Sequence, residues 1–230
     1  MWFVVGRAGP HTMTVSKRQR RQAARLGILL RVERSLWRTG ITKIAGVDEV
    51  GVGPLAGPVL AAAVILPEGV MLRGVDDSKK VTTALREELA EKIHAAALGV
   101  GIGIVEAEEI DRLNIYRAAL EAMRRAVMAL PVTPEHVLVD ARRIPQLSVP
   151  QTALINGDAR SYCIAAASIV AKVARDRIMC ELDQRYPEYG FRDHMGYGTA
   201  QHLAAIDRHG PSPVHRRSFA PVRDLRLPGM

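Results

Sequence analysis

The chain has 230 residues, 48% of them hydrophobic and 24% charged, which suits a soluble globular protein with one domain or one domain and a small appendage. Lysine and arginine total 32 against 24 acids, and the net charge of +8 favours a polyanionic partner, nucleic acid foremost. No apolar run approaches the roughly 18–20 residues of a membrane span, Met1–Val5 is too short for a signal-peptide core, and two cysteines are too few for a disulfide scaffold.

Residues 1–40 read as an N-terminal extension. A basic tract, Lys17 to Arg21, precedes Leu26, Leu29, Leu30, Val32, Leu36 and Trp37, whose spacing predicts a helix ending near Gly40. Ile44–Val50 and Val59–Leu66 are apolar and β-branched, separated by a Gly/Pro-rich turn, and predict a hairpin-like pair of strands. Thr82 is placed to cap a helix to about Leu98, followed by a strand over Gly99–Val105. Helices are expected over 106–113 and 114–130, the second with Ile115, Ala119, Met123 and Val127 on one face.

His136–Asp140 reads as a short buried strand ending in a carboxylate, and Thr152–Asn156 as a fifth strand. A long helix is expected from Asp158 to Tyr186, its inner stripe Ile164, Ala167, Ala171, Ala174 and Ile178. After a turn at 187–190, a last helix runs over 199–209. Three strands followed by helices alternating with two more predict an α/β domain with a mixed five-stranded sheet flanked by helices. The domain spans 41–222, with a small helical part at 187–222 and a tail at 223–230. Cys163 and Cys180 fall 17 positions apart on the long helix, about 25 Å at roughly 1.5 Å per residue. That exceeds the roughly 7 Å limit for a disulfide. Two free thiols fit a reducing cytoplasm.

The chemistry concentrates in acids at element ends. Asp48 and Glu49 close the first strand, Asp140 closes the fourth, and Asp158 opens the long helix. Gathered carboxylates repel one another in a poorly solvated setting. A hard divalent cation such as Mg²⁺ removes that repulsion, and a pair of such ions suits phosphodiester hydrolysis. Neighbours in a regular strand point to opposite faces. Asp48 and Glu49 therefore share a site only if the strand breaks near Gly51 or if Glu49 uses its backbone carbonyl. The competing reading is a turn at 48–49 and a helix cap at Asp158.

The stretch Gly51 to Pro58 fits neither the P-loop nor the dinucleotide fingerprint. It remains a loop whose backbone approaches a ligand closely, suited to a ribose 2′-hydroxyl. Tyr197, between two glycines, suits stacking on a base or sugar or serves as an ordinary hinge residue. His194, His202, His209 and His215 lack the companions of a zinc site and read as core or surface histidines. Lys79–Lys80 and His215–Arg217 are short basic patches with phosphate-binding potential.

Taken together, GVDEVGVGPLAGPV (46–59), DDSKK (76–80), EEIDRLNI (108–115), VLVD (137–140), GDARS (157–161), IAAASIVAKVARDR (164–177), YPEYGF (186–191), HMGYGT (194–199) and HRRSFAPV (215–222) closely resemble bacterial ribonuclease HII, the type 2 ribonuclease H. The resemblance implies a ribonuclease H-like fold with Asp48, Glu49, Asp140 and Asp158 as catalytic and metal-binding acids, and a two-ion site for Mg²⁺ or Mn²⁺. It implies substrates of RNA–DNA hybrid and ribonucleotide-containing duplex DNA, cut on the 5′ side of a ribonucleotide to leave 3′-hydroxyl and 5′-phosphate ends. Gly51, Val52, Gly53, Lys79 and Tyr197 are the implied substrate contacts, in a cytoplasmic monomer. Ribonuclease HIII is disfavoured, because its N-terminal substrate-binding domain exceeds the 40 residues before the first strand.

Three sites depart from the family pattern. Val52 stands where arginine is usual, Ala141–Arg142 where Gly-Asn is common, and Met195 where lysine is usual. Loss of a guanidinium at position 52 weakens phosphate contact. A weakened or non-catalytic RNA–DNA-binding protein is the second reading.

Overall fold

In chain order the elements are α1 (Arg31–Trp37), β1 (Ile44–Val50), β2 (Val59–Ile65), α2 (Thr83–Ala96), β3 (Gly99–Val105), α3 (Ala107–Leu113), α4 (Ile115–Met128), β4 (His136–Asp140), β5 (Gln151–Leu154), α5 (Tyr162–Arg185), α6 (Phe191–His194) and α7 (Ala200–His209). A computed structural model describes residues 24–75 and 82–224. The basic tract at 17–21, Lys79 with its DDSKK segment and most of the tail lie outside the described residues.

The five strands form one sheet in the order β3-β2-β1-β4-β5. β1–β2 and β2–β3 are antiparallel, and β1–β4 and β4–β5 are parallel. The mixed sheet flanked by helices is therefore the expected one. β2 is buried at all of its positions because helices cover both faces. Leu60, Ala62 and Val64 pack with α2 and α5, whereas Ala61, Ala63 and Ile65 pack with α4. Alternate residues of one strand thus serve two cores, as the period of two requires. A third apolar cluster joins Leu55 and Ala56 to Met179, Tyr189, Phe191 and Ile206, so the C-terminal helices pack onto the glycine-rich loop.

Small residues let the layers approach closely. A Cβ at Gly46 would collide with the backbone of Cys163 and Ile164 in α5, and one at Gly103 with the Ala122 carbonyl of α4. α5 is enclosed on nearly every side in its first half, with 162 to 171 buried throughout. The expected single inner stripe is thus too narrow, because the sheet, α2 and the segment before α1 all press on this helix.

Two boundaries beside Asp158 differ from the sequence expectation. β5 ends at Leu154, because Ile155 is 71% exposed and Asn156 turns left-handed at φ 55°. The long helix begins at Tyr162, since Gly157–Ala159 forms a separate 3-10 turn. Asp158 therefore does not open the helix. Ser161 is its cap, accepting from the Ile164 N–H at 3.2 Å. Thr82 sits at the start of α2 without a side-chain cap bond. Both cysteines lie on α5 as free thiols, Cys163 buried.

α1 is joined to the core by an acid. Glu33 is fully buried, and its Oε1 accepts from Ser161 Oγ at 2.7 Å and Cys163 N–H at 3.1 Å. Arg25 donates to the Ala159 carbonyl at 2.8 Å. The N-terminal segment thereby grips the turn that carries Asp158.

Candidate active site

β1 and β4 run parallel, so their C-terminal ends emerge at the same edge of the sheet. The pairing of Val47 with Val139 sets Asp48 level with Asp140. Both acids fall on the α5 face, Asp48 in the alternation of Gly46 and Asp140 in that of Leu138. β1 continues unbroken through the acid pair, with Asp48 opposite Ala62 and Glu49 opposite Ala61. The strand ends at Val50, directly after the pair, where Gly51 takes φ 88°, so the break near Gly51 that the sequence reading required is present. Carboxylate oxygens of Asp48, Glu49 and Asp140 lie within 4.8 Å of one another. Glu49 starts from the opposite face, and its extra methylene lets the carboxylate reach round the strand end.

Local bonds hold the acids. Asp48 Oδ1 accepts the Glu49 N–H at 2.9 Å, and Asp140 Oδ1 accepts the Gly157 N–H at 2.6 Å. The second bond ties the end of β4 to the turn bearing Asp158. Asp158 lines the same cavity of about 230 Å³ as the other three acids and Tyr197. It stands outside the tightest group of three.

The cavity also contains Arg86, Ser168 and Lys172, none of which stood out in the sequence. Ser168 hydrogen-bonds Asp48. Lys172, one helical turn further along α5, pairs with Asp176, and Arg86 lies 3.8 Å from the same carboxylate. The signal was present in the i, i+4 spacing of Ser168 and Lys172 on a helix facing the strand ends. It was hidden because α5 has no single polar face.

Burial raises the Asp48 carboxyl well above the usual range, and the charges of Glu49, Asp140 and Asp158 add to the rise, against the Ser168 hydrogen bond. A carboxyl raised in the folded state contributes stability that is complete below its unfolded pKa and is lost as pH rises through the folded value. Asp48→Asn is therefore expected to melt higher than the parent in EDTA, by roughly 3–8 °C at pH 8. The gap should narrow towards pH 4 and shrink when Mg²⁺ is added. A calorimetric pH series checks this, and a gap independent of pH contradicts it.

The glycine-rich loop packs beside this cavity. Gly51 has φ 88°, and a Cβ there would collide with Arg175, so glycine is required on both counts. Gly53 faces the Tyr197 ring, with a Cβ position 3.6 Å from Cε1. Tyr197 is 47% exposed and Val52 40%. The loop is held by Leu55 N–H to the Gly196 carbonyl at 2.8 Å and Gly57 N–H to the Val214 carbonyl at 2.9 Å.

The basic patch expected at His215–Arg217 is not a patch. His215 and Arg216 are buried, and Arg216 spends its donors on loop carbonyls. Histidines 194, 202 and 215 form a buried cluster whose nitrogens are engaged within the protein. His202 Nδ1 meets the Tyr197 carbonyl at 2.9 Å, and its Nε2 meets His215 Nε2 at 3.0 Å. His215 Nδ1 accepts the Ser212 N–H at 3.0 Å. Burial and the neighbouring His202 push His215 down to about 4, so it is neutral at pH 7. These are core histidines that support the Tyr197 segment.

The Ribonuclease HII family profile matches residues 45–222. The chain belongs to the ribonuclease HII family. It is 58% identical over 212 residues to "Ribonuclease HII" of Geobacillus thermodenitrificans (strain NG80-2), covering 91% of this chain and 82% of that relative. It is 55% identical over 229 residues to that of Myxococcus xanthus (strain DK1622), covering 96% and 78%. The fold superposes on the ribonuclease H2 crystal structure from Pyrococcus horikoshii OT3 with a TM-score of 0.68 at 29% identity, over 79% of this chain and 96% of that one. A ribonuclease HII is a metal-dependent endoribonuclease, and the acidic group at the strand ends has the donor chemistry such an enzyme requires.

Proposed function

We propose that the protein hydrolyses the RNA strand of RNA–DNA hybrids and cuts on the 5′ side of ribonucleotides embedded in duplex DNA. The observation carrying this reading is the meeting of three carboxylates from two parallel strand ends beside an exposed tyrosine and a glycine-rich loop. The catalytic unit is taken as 41–222 with its helical end at 187–222, the extension as 1–40 and the tail as 223–230.

Asp48, Glu49 and Asp140 fit a hard divalent cation, because three close carboxylates, one of them buried, need positive charge between them. Asp158, which lines the same cavity, completes the set. A bound pair of Mg²⁺ or Mn²⁺ ions would supply an activated water and neutralise charge on the leaving oxygen. Ser168 orients Asp48, and Gly157 N–H orients Asp140. Lys172 and Arg86 offer positive charge to the phosphate entering the cavity. In the reaction the water oxygen joins phosphorus and the bond from phosphorus to the preceding O3′ breaks. The upstream strand keeps a 3′-hydroxyl and the ribonucleotide keeps its 5′-phosphate. Tyr197 and the Gly51–Gly53 backbone select the sugar, with Lys79 an added substrate contact. The same reading makes the protein a cytoplasmic monomer.

The test uses three duplexes, with one ribonucleotide, with several and with a complete RNA strand, each with Mg²⁺, Mn²⁺ or EDTA. Metal-dependent nicks ending in 3′-hydroxyls are expected on all three. Absence of any metal-dependent nick sinks the reading.

A second reading, binding with weak or no turnover, draws on the exposed apolar Val52 at the tip of the loop. Val52→Arg adds a cation beside the phosphates. It is expected to lower KM about tenfold and to steepen the salt dependence of binding by about one unit of log-log slope. An unchanged affinity and rate would show that position 52 does not face the substrate.

A further inference from the structure

Beneath the glycine-rich loop lie two arginines with no exposed surface, Arg175 of α5 and Arg216 of the C-terminal segment. Arg175 donates to the carbonyls of Pro58 at 3.1 Å, Met195 at 3.1 Å and Ala56 at 3.3 Å. Arg216 donates to Gly57 at 3.0 Å, Val52 at 3.0 Å and Gly51 at 2.6 Å. Among the described residues neither guanidinium has a carboxylate within ion-pairing distance. Burial, and for Arg216 the charge of Arg175, presses both below the ordinary arginine value, Arg216 to about 9. Arg216 therefore stays charged at neutral pH, and a guanidinium such as that of Arg175 keeps its proton in proteins.

Two like charges buried side by side are costly. Apolar side chains there would leave six carbonyls without these donors, so the guanidiniums both satisfy these carbonyls and fix the direction in which they point. A trans peptide is planar, with its C=O and N–H on opposite sides. Drawing the Gly51 and Val52 carbonyls inward therefore turns the Val52 and Gly53 amides outward. Neither amide has a protein acceptor among the described residues. The bond to Met195 ties the same clamp to the segment bearing Tyr197, whose ring lies against Gly53.

We propose that Arg175 and Arg216 are positioning residues for sugar discrimination, fixing the outward amides of the 51–53 turn and the Tyr197 ring at the separation that accepts a ribonucleotide. The inference rests on the ribonuclease reading above and assigns its selectivity to two residues that touch no substrate. It also explains why a valine at position 52 is compatible with recognition: the clamp holds the backbone, whatever the side chain.

The test uses the full chain with Arg175→Lys and Arg216→Lys, each of which keeps the charge but loses the planar fork of donors. Affinity for a duplex containing one ribonucleotide is measured against an all-DNA duplex by fluorescence anisotropy, alongside KM, kcat and the Mn²⁺-induced rise in melting temperature. The expected result is at least a tenfold fall in the ribonucleotide-to-DNA affinity ratio, a matching rise in KM, a kcat within about threefold and an unchanged Mn²⁺ shift. An unchanged ratio, an equal loss for both duplexes, or a fall in kcat and Mn²⁺ shift at constant KM overturns the proposal. So does the failure of both variants to melt cooperatively, which would make the arginines structural. A parent protein that binds ribonucleotide duplexes selectively but never nicks them refutes the ribonuclease reading while leaving the clamp open to the same affinity test.

Discussion

Asp140→Asn should lower the metal-dependent cleavage rate at least about a thousandfold, equivalent to roughly 4 kcal/mol of lost transition-state stabilisation. The substitution isolates charge from shape. Asn retains an Oδ1 to accept the Gly157 N–H now bonded at 2.6 Å, so the turn bearing Asp158 keeps its tie to β4. What disappears is one unit of negative charge from a group of three whose oxygens share a space of 4.8 Å. Hard divalent ions depend on such anionic oxygens, so ion occupancy and rate fall together. Single-turnover assays over a Mn²⁺ series, with circular dichroism to confirm the fold, would test the claim. A rate within tenfold of the parent at saturating Mn²⁺ removes Asp140 from the proposed ligand set.

Gly46→Ala should be the most damaging single-methyl change in the sheet, costing about 3 kcal/mol or more. Its new Cβ would meet the backbone of Cys163 and Ile164 in α5, and backbone has no rotamer through which to escape. A loss of that size corresponds to a melting temperature lower by roughly 10 °C in a chain of this length. Gly27→Ala is a suitable control, since no atom lies within 4 Å of the added carbon. Calorimetry of the two variants decides the matter. Equal melting temperatures would mean that α5 shifts freely on the sheet.

The strands were legible in the sequence because each is a short apolar run with clear turn residues beside it, and four began at the residue expected. The acids were legible for a related reason, since a carboxylate that ends an apolar strand stands out. The start of the long helix was not, because Asp158 is itself a favoured cap residue and only the Ser161 cap bond marks where α5 begins after the 3-10 turn at Gly157–Ala159. Convergence of Asp48 and Glu49 was equally hidden. Strand pleat assigns them to opposite faces, and only the finite length of the strand allows both side chains to reach one cavity. Arg216 misled by its neighbours: in HRRSF it reads as surface charge, while the fold carries it under the loop. Nothing local in a sequence distinguishes a guanidinium that binds backbone carbonyls from one that meets a phosphate.

One rod, α5, joins the two halves of this chemistry. Ser168 bonds Asp48, and two turns later Arg175 holds the carbonyls of Ala56, Pro58 and Met195. On the proposed reading, selecting the sugar and gathering the cations would be events on a shared beam. By thermodynamic reciprocity, if a correctly seated ribonucleotide tightens the hold on cations, the cations must tighten the hold on that ribonucleotide by the same factor.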